Sequence, residues 1–167
     1  MRSLLILSTG IIAAGFAIAA TGSGLNVTSP VFNNNGMIPH KYSCDGDNVN
    51  PPLSIEHLPV GTKTVALIVH DPDAPVKGGF THWVAWNIKP GLLITENYKD
   101  AEQGLNGSGK KGYTGMCPPS GTHHYHFMAY ALDVTLNIDK RTDKKYLEKA
   151  MQGHILAQGD LVGLYKK

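Results

Sequence analysis

A short block with a strand's composition, Thr64 to Val69, runs straight into His70-Asp71-Pro72-Asp73-Ala74-Pro75. β-Branched and apolar residues that stop at a Pro-rich break mark a buried strand ending in a loop. Each proline fixes φ and removes a backbone donor, so Asp71 and Asp73 are held on a stiffened loop at a strand's end. Thr81-His82-Trp83 follows a few residues later, and a second His-rich block lies at His123 to His126. Two acids, a nearby histidine and a distant His cluster point to a small polar pocket.

The pattern elsewhere is of many short strands between Pro/Gly-rich turns. Leu25 to Phe32 alternates apolar and polar residues and is expected to form an edge strand. Ile38 to Tyr42, Leu53 to Glu56 and Leu92 to Glu96 are expected to be short strands, with Lys63 to Asp71 buried. Thr81 to Ile88 alternates so that His82, Val84, Trp86 and Ile88 share one face and Trp83, Ala85 and Asn87 the other. Trp83 and Trp86 are expected in the core or at its rim. Ala101 to Gly115 is a long loop. On the strand from His123 to Asp133, parity places His123, Tyr125 and Phe127 on one side and His124, His126 and Met128 on the other. His124 and His126 are therefore expected to be structural. A helix capped by Thr142 or Asp143 is expected from about Asp143 to Gln158, with Gly153 its weak point and His154 packing it on the sheet. Leu161 to Tyr165 would form the last strand. The sum is a single mainly β domain, most simply an antiparallel sandwich with a late helix.

Length and charge narrow the function classes. Leu4 to Ala20 is almost wholly apolar or small, follows Arg2, and ends with Ala17-Ile18-Ala19, which suits a small-x-small cleavage rule. This predicts a signal peptide over residues 1–19, a mature domain over 20–167, and a periplasmic or secreted protein. An uncleaved membrane anchor is the rival for that run; no later stretch is long and apolar enough to cross a bilayer. The formal charge is +2, and no Lys/Arg block resembles a nucleic-acid footprint. Two cysteines, Cys44 and Cys117, in an exported chain point to one disulfide, with two free thiols the alternative.

Two ordered motifs carry a resemblance. Asp71-Pro72-Asp73-Ala74-Pro75 with His82, followed by Gly115 to Pro119 with His123-His124-Tyr125, resembles the phosphatidylethanolamine-binding protein family, and within it the bacterial Raf-kinase-inhibitor-like subgroup. Asp45 to Leu53 and Gly153 to Tyr165 resemble it too, so the likeness spans the mature chain. The resemblance implies an antiparallel β-structure with Greek-key connections, C-terminal helical structure, and a surface pocket for anions and phosphorylated headgroups. Its pocket positions fall on Asp71, Asp73, Pro75, His82, Gly115, Pro119, His123 and Tyr125. It implies a cis peptide within or near the Asp-Pro loop, and it supports pairing of Cys44 with Cys117. Met116-Cys117 after the loop glycine and His124 in place of a common arginine depart from the eukaryotic pattern. The expected export counts against carrying over inhibition of a cytosolic kinase.

Chemistry agrees with anion binding: His82, His123 and the Tyr125 hydroxyl can donate hydrogen bonds, and Asp71 can fix a histidine tautomer and raise that ring's pKa. The expected function is a non-enzymatic binding protein, without a cofactor, for a small anion such as phosphate or a phosphorylethanolamine headgroup. The alternatives are a protein-interaction inhibitor of a kinase or protease, with an unidentified partner; a metal-dependent hydrolase using Asp71, Asp73, His82 and His123; and a serine hydrolase using Ser120 beside His123, although no Gly-x-Ser-x-Gly elbow is present.

Overall fold

A computed structural model describes residues 24–167. The expected leader lies outside the described residues. Eight strands, one α-helix and one 3-10 turn follow in order: β1 (Asn26–Thr28), β2 (Gly36–Met37), the 3-10 turn His40–Tyr42, β3 (Ser54–Glu56), β4 (Thr64–Asp71), β5 (Phe80–Ile88), β6 (Glu102–Gln103), β7 (Thr122–Leu132), α1 (Lys144–Met151) and β8 (Ile155–Lys166).

β4 and β7 form the centre of a six-stranded sheet of order β2-β8-β7-β4-β5-β6, antiparallel except for the β2–β8 pair. From the β6 edge the chain crosses β5 and β4 to place β7 on β4's far side, a Greek-key type of return. Both edge strands are two residues long, which limits the row of unpaired backbone groups. β1 and β3 pair as a separate small sheet.

Alternation along β4 divides the molecule into two apolar layers. Val65, Leu67 and Val69 join the main core with Trp83, Phe127, Leu53 and the β1–β3 side chains. Ala66 and Ile68 face the other way and are covered by Leu147 and Met151 of α1, together with Trp86 and Leu132. The domain is thus mainly β, a sheet covered by a small sheet on one face and a helix on the other. Both tryptophans are buried, as their apolar surroundings on β5 led one to expect.

Several local expectations fail. Ile38 to Tyr42 is no strand; after β2 it closes into the 3-10 turn. Leu92 to Glu96 contributes only a single bridge, Leu53 to Ile94. The helix stops at Met151 instead of Gln158. Gly153 takes φ +80°, a left-handed conformation that ends helices, and the chain then enters β8, where eleven residue pairs against β7 outweigh further helix. His154 accordingly does not pack a helix on the sheet; it is exposed, with Nδ1 2.9 Å from Asp133 Oδ1. Asp143 does cap the helix, its side chain accepting the Tyr146 N–H at 3.0 Å. All peptide bonds among the described residues are trans, so the cis peptide implied near the Asp-Pro loop is absent.

Candidate functional site

The end of β4 builds the site. Asp71 is the last residue of the strand, and its Oδ1 accepts the N–H groups of Asp73 (2.8 Å) and Ala74 (3.1 Å), an Asx turn that reverses the chain. Its other oxygen, Oδ2, lies 2.7 Å from His123 Nδ1 on β7. Asp71 and His123 share one face of the sheet because each follows the core parity of its strand. Both are buried.

His82 reaches the same place by an irregularity. His70 pairs with Thr81 and Val69 with Trp83, so His82 is an extra residue with no opposite number on β4. Such a bulge re-aims a side chain. Strict alternation put His82 with Val84 and Trp86; the bulge turns it to the opposite face, beside Asp71. There its Nδ1 lies 2.8 Å from the Thr114 carbonyl, and its ring stands edge-on to Phe80 (4.8 Å) and Tyr125 (5.2 Å). Burial lowers the His82 pKa below its ordinary 6.5, partly opposed by the Thr114 carbonyl and Asp71. It does not rise, as would follow if Asp71 chiefly served to protonate this ring.

The opposite wall is the 114–119 loop. Gly115 must be glycine, because a Cβ there would collide with the Ser43 and Cys44 backbone. Its N–H is held by Asn48 Oδ1 at 2.6 Å. Cys44 and Cys117 form a disulfide, Cα–Cα 5.5 Å, that ties this loop to the 40–48 segment.

Together these elements enclose a cleft of about 380 Å³. Of the eight residues expected at the pocket, Asp71, Pro75, His82, Gly115, Pro119 and His123 line it. Tyr125 lies beneath them, fully buried, its hydroxyl without a hydrogen-bond partner. Burial, then the nearby Asp71 carboxylate, push its pKa up. Asp73 does not line the cleft: its Oδ2 accepts from the His124 N–H (2.8 Å) and lies 2.7 Å from His124 Nδ1, on the outer side of β7. The four side chains of the metal-hydrolase alternative therefore do not converge. Among the described residues no three His, Cys, Asp or Glu side chains are grouped to hold a metal ion. Ser120 is exposed and does not line the cleft. As expected from parity, His124 and His126 face away; His126 Nδ1 lies 2.6 Å from Asp160 Oδ2.

Sequence reasoning missed the apolar lip of Ala74, Val76 and Phe80, and the lining roles of Ser108, Thr114 and the two cysteines. The only signal for the lip was Phe80 two residues before His82. Nothing local in the sequence pointed to the Thr114 carbonyl. A second hollow of about 440 Å³ lies between Asn106–Gly109 and the start of α1. Several of its polar groups are already engaged: Asn106 closes its own turn and Lys144 pairs with Glu148 at 3.1 Å.

Residues 28–166 match the phosphatidylethanolamine-binding protein family. The chain belongs to that family. A UPF0098 protein of Pyrococcus horikoshii is 48% identical over 178 aligned positions, covering 100% of this chain and 87% of the relative. A phosphatidylethanolamine-binding protein homologue from Chlamydia trachomatis, solved by crystallography, superposes with a TM-score of 0.83 at 41% identity, over 86% of this chain and 98% of that one. Escherichia coli YbcL, described as a member of the mammalian family, gives 0.80 at 27% identity, over 87% and 99%. The antiparallel fold with its late helix is thus the family's fold. Among the described residues no helix is long and apolar enough to cross a membrane.

Proposed function

We propose that the cleft binds a small phosphoryl anion, phosphate or a phosphorylated headgroup of the phosphorylethanolamine kind, and performs no chemistry on it. The observation that carries this reading is the pair of buried imidazoles, His82 and His123, each anchored through Nδ1 and each bordering one closed-floored cleft. Imidazoles so fixed hold a ligand oxygen at a set position at little ordering cost. The cleft holds no cysteine thiol, since both its cysteines are in the disulfide. The names of the Chlamydia and E. coli relatives support a binding role. The disulfide supports an oxidising setting for the domain.

The test is isothermal titration with phosphorylethanolamine and with inorganic phosphate, on the native protein and on His123→Ala. Saturable heat that the substitution abolishes supports the cleft. Absence of heat and of any thermal shift with either anion sinks it.

A further inference from the structure

Exposed apolar side chains gather at the end of the sheet farthest from the cleft. Val60, Leu92, Leu93, Ile155 and Leu156 are five of the eight large apolar side chains exposed among the described residues, and Val60 is fully open, at 103%. Topology puts them together. Val60 sits in the turn that leads into β4, Leu92 and Leu93 lie in the loop after β5, and Ile155 and Leu156 open β8. These points share one end because Val65 pairs with Ile88, the Lys63 N–H donates to the Leu132 carbonyl, and Leu132 pairs with Ile155. A Cβ at Gly61 would stand 4.0 Å from Leu156 Cδ1, so the turn meets β8. The cleft lies at the other end of β4, eight residues or about 25 Å away.

This end is suited to an apolar phase. Thr62 gives its N–H (3.2 Å) and its hydroxyl (2.7 Å) to the Pro59 carbonyl, and Pro59 has no N–H to satisfy. Acids here are engaged: Glu56 accepts from Asn26 Nδ2 at 3.0 Å, and Asp133 lies 2.9 Å from His154 Nδ1. Lys63 and Lys89 adjoin the apolar groups, and a lysine stem covers apolar surface while its head stays in water.

The chain's own course indicates what faces this end. The Leu25 N–H donates to the Gln158 carbonyl at 3.0 Å, two residues past Leu156 on β8. β1 is antiparallel to β3, and β3 leads to the Val60 turn, so β1 begins on the side of the apolar end. Only Thr21-Gly22-Ser23 separates Gly24 from the apolar run Leu4 to Ala20, a reach of at most about 14 Å. That run lies outside the described residues, and its composition suits a segment that enters a bilayer.

We propose that this end rests on a lipid bilayer, the one its own apolar run enters, and that the cleft opens away from it to the aqueous side. What the cleft binds plays no part in this. The apolar side chains, rather than charge, provide the attraction, so salt should not release the domain.

The test is fluorescence of the full chain in phosphatidylcholine nanodiscs, with and without lipids brominated along their acyl chains. One tryptophan is added at Val60, Leu93 or Ser120, all exposed positions. Trp83 and Trp86 are buried and give a background common to all three. Val60→Trp and Leu93→Trp should shift to the blue in the bilayer and lose most of the added emission to brominated lipid. Ser120→Trp, near the cleft, should do neither. Adding Leu156→Asp to Val60→Trp should restore much of the lost emission, because a charge opposes immersion. On the native chain, hydrogen exchange at residues 59–63 and 90–93 should slow in nanodiscs, and at 115–121 it should not. Unquenched Val60→Trp on a nanodisc-bound chain means a tethered domain held clear of the bilayer, and overturns the proposal. Quenching of Ser120→Trp, or a chain that does not join the nanodiscs, overturns it as well. A blue shift of Val60→Trp without lipid puts a second copy or the chain's own leader on this end; mass in solution separates those two, and either one overturns it.

Discussion

His123 and His124 are neighbours on one strand, and each sets its Nδ1 2.7 Å from an aspartate of the same loop, Asp71 and Asp73. The inner pair is nearly closed to solvent, with side chains 9% and 4% exposed; the outer pair stands at 52% and 41%. Alternation of a strand's side chains makes this possible, because the loop straddles the strand and offers one acid to each face. Equal distances do not mean equal worth. In the low dielectric of the inner face a hydrogen bond is stronger and a lost partner costs more, whereas water competes for the outer pair and screens it. The inner pair therefore organises the cleft, and the outer one only fastens its loop.

The widest split between the two faces should come from the disulfide, which touches the inner side alone. Replacing Cys44 and Cys117 together by serine opens a loop of 73 residues and should cost about 4 kcal/mol on the chain-entropy account. Urea unfolding measures the loss. In NMR the His123 ring signals should move and those of His124 stay; equal movement would erase the distinction. Next in size, His123→Ala leaves Asp71 buried without one partner and should cost about 2–3 kcal/mol, read as a fall in urea midpoint at constant m.

A smaller effect concerns His82. Its folded pKa lies below the unfolded value of 6.5 because burial disfavours the charged ring. The unfolded chain then binds the proton first, so stability is lost as pH falls below about 6.5. Urea midpoints at neutral and mildly acidic pH should show that slope, and His82→Gln should flatten it. Smallest of all, His124→Ala should cost under about 1 kcal/mol. The His124 side chain and then its backbone N–H hold the Asp73 pKa below 3.8. That contribution is present above the unfolded pKa and disappears as pH falls through the folded one. Carboxyl NMR should find the Asp73 midpoint below 3.8 in the native protein and higher in His124→Ala. A His124→Ala loss as large as that of His123→Ala would break the comparison.

The same pair shows how far residues alone lead. Parity on β7 separated His123 and Tyr125 from His124 and His126, because a strand with one buried face must alternate. It could not place Asp73, since a loop has no period, and Asp73 turned out to serve the outer face. His82 was assigned to the cleft by its nearness to the two acids and by the family resemblance, although its own strand pattern put it on the wrong side. The bulge that corrects the pattern is a mismatch between two strands, and neither strand's sequence contains it. The helix was legible from Asp143 onward but its end was not. Gly153 marked a possible stop; what decided it was the pairing of β8 with β7, a contact between residues distant from one another in the growing sheet.

By itself, then, the sequence determined the mainly β class, the two Pro-stiffened acids at a strand's end, the buried face of the His-rich strand and the family. Those follow from local composition, period and motif order, which act over a few residues. Only the tertiary structure decided which nitrogen of each cleft histidine is anchored. That choice belongs to Thr114 O and Asp71 Oδ2, groups 32 and 52 residues away from the rings they hold. A hydrogen-bond partner at that distance is set by how the sheet folds back on itself, and no local pattern encodes it.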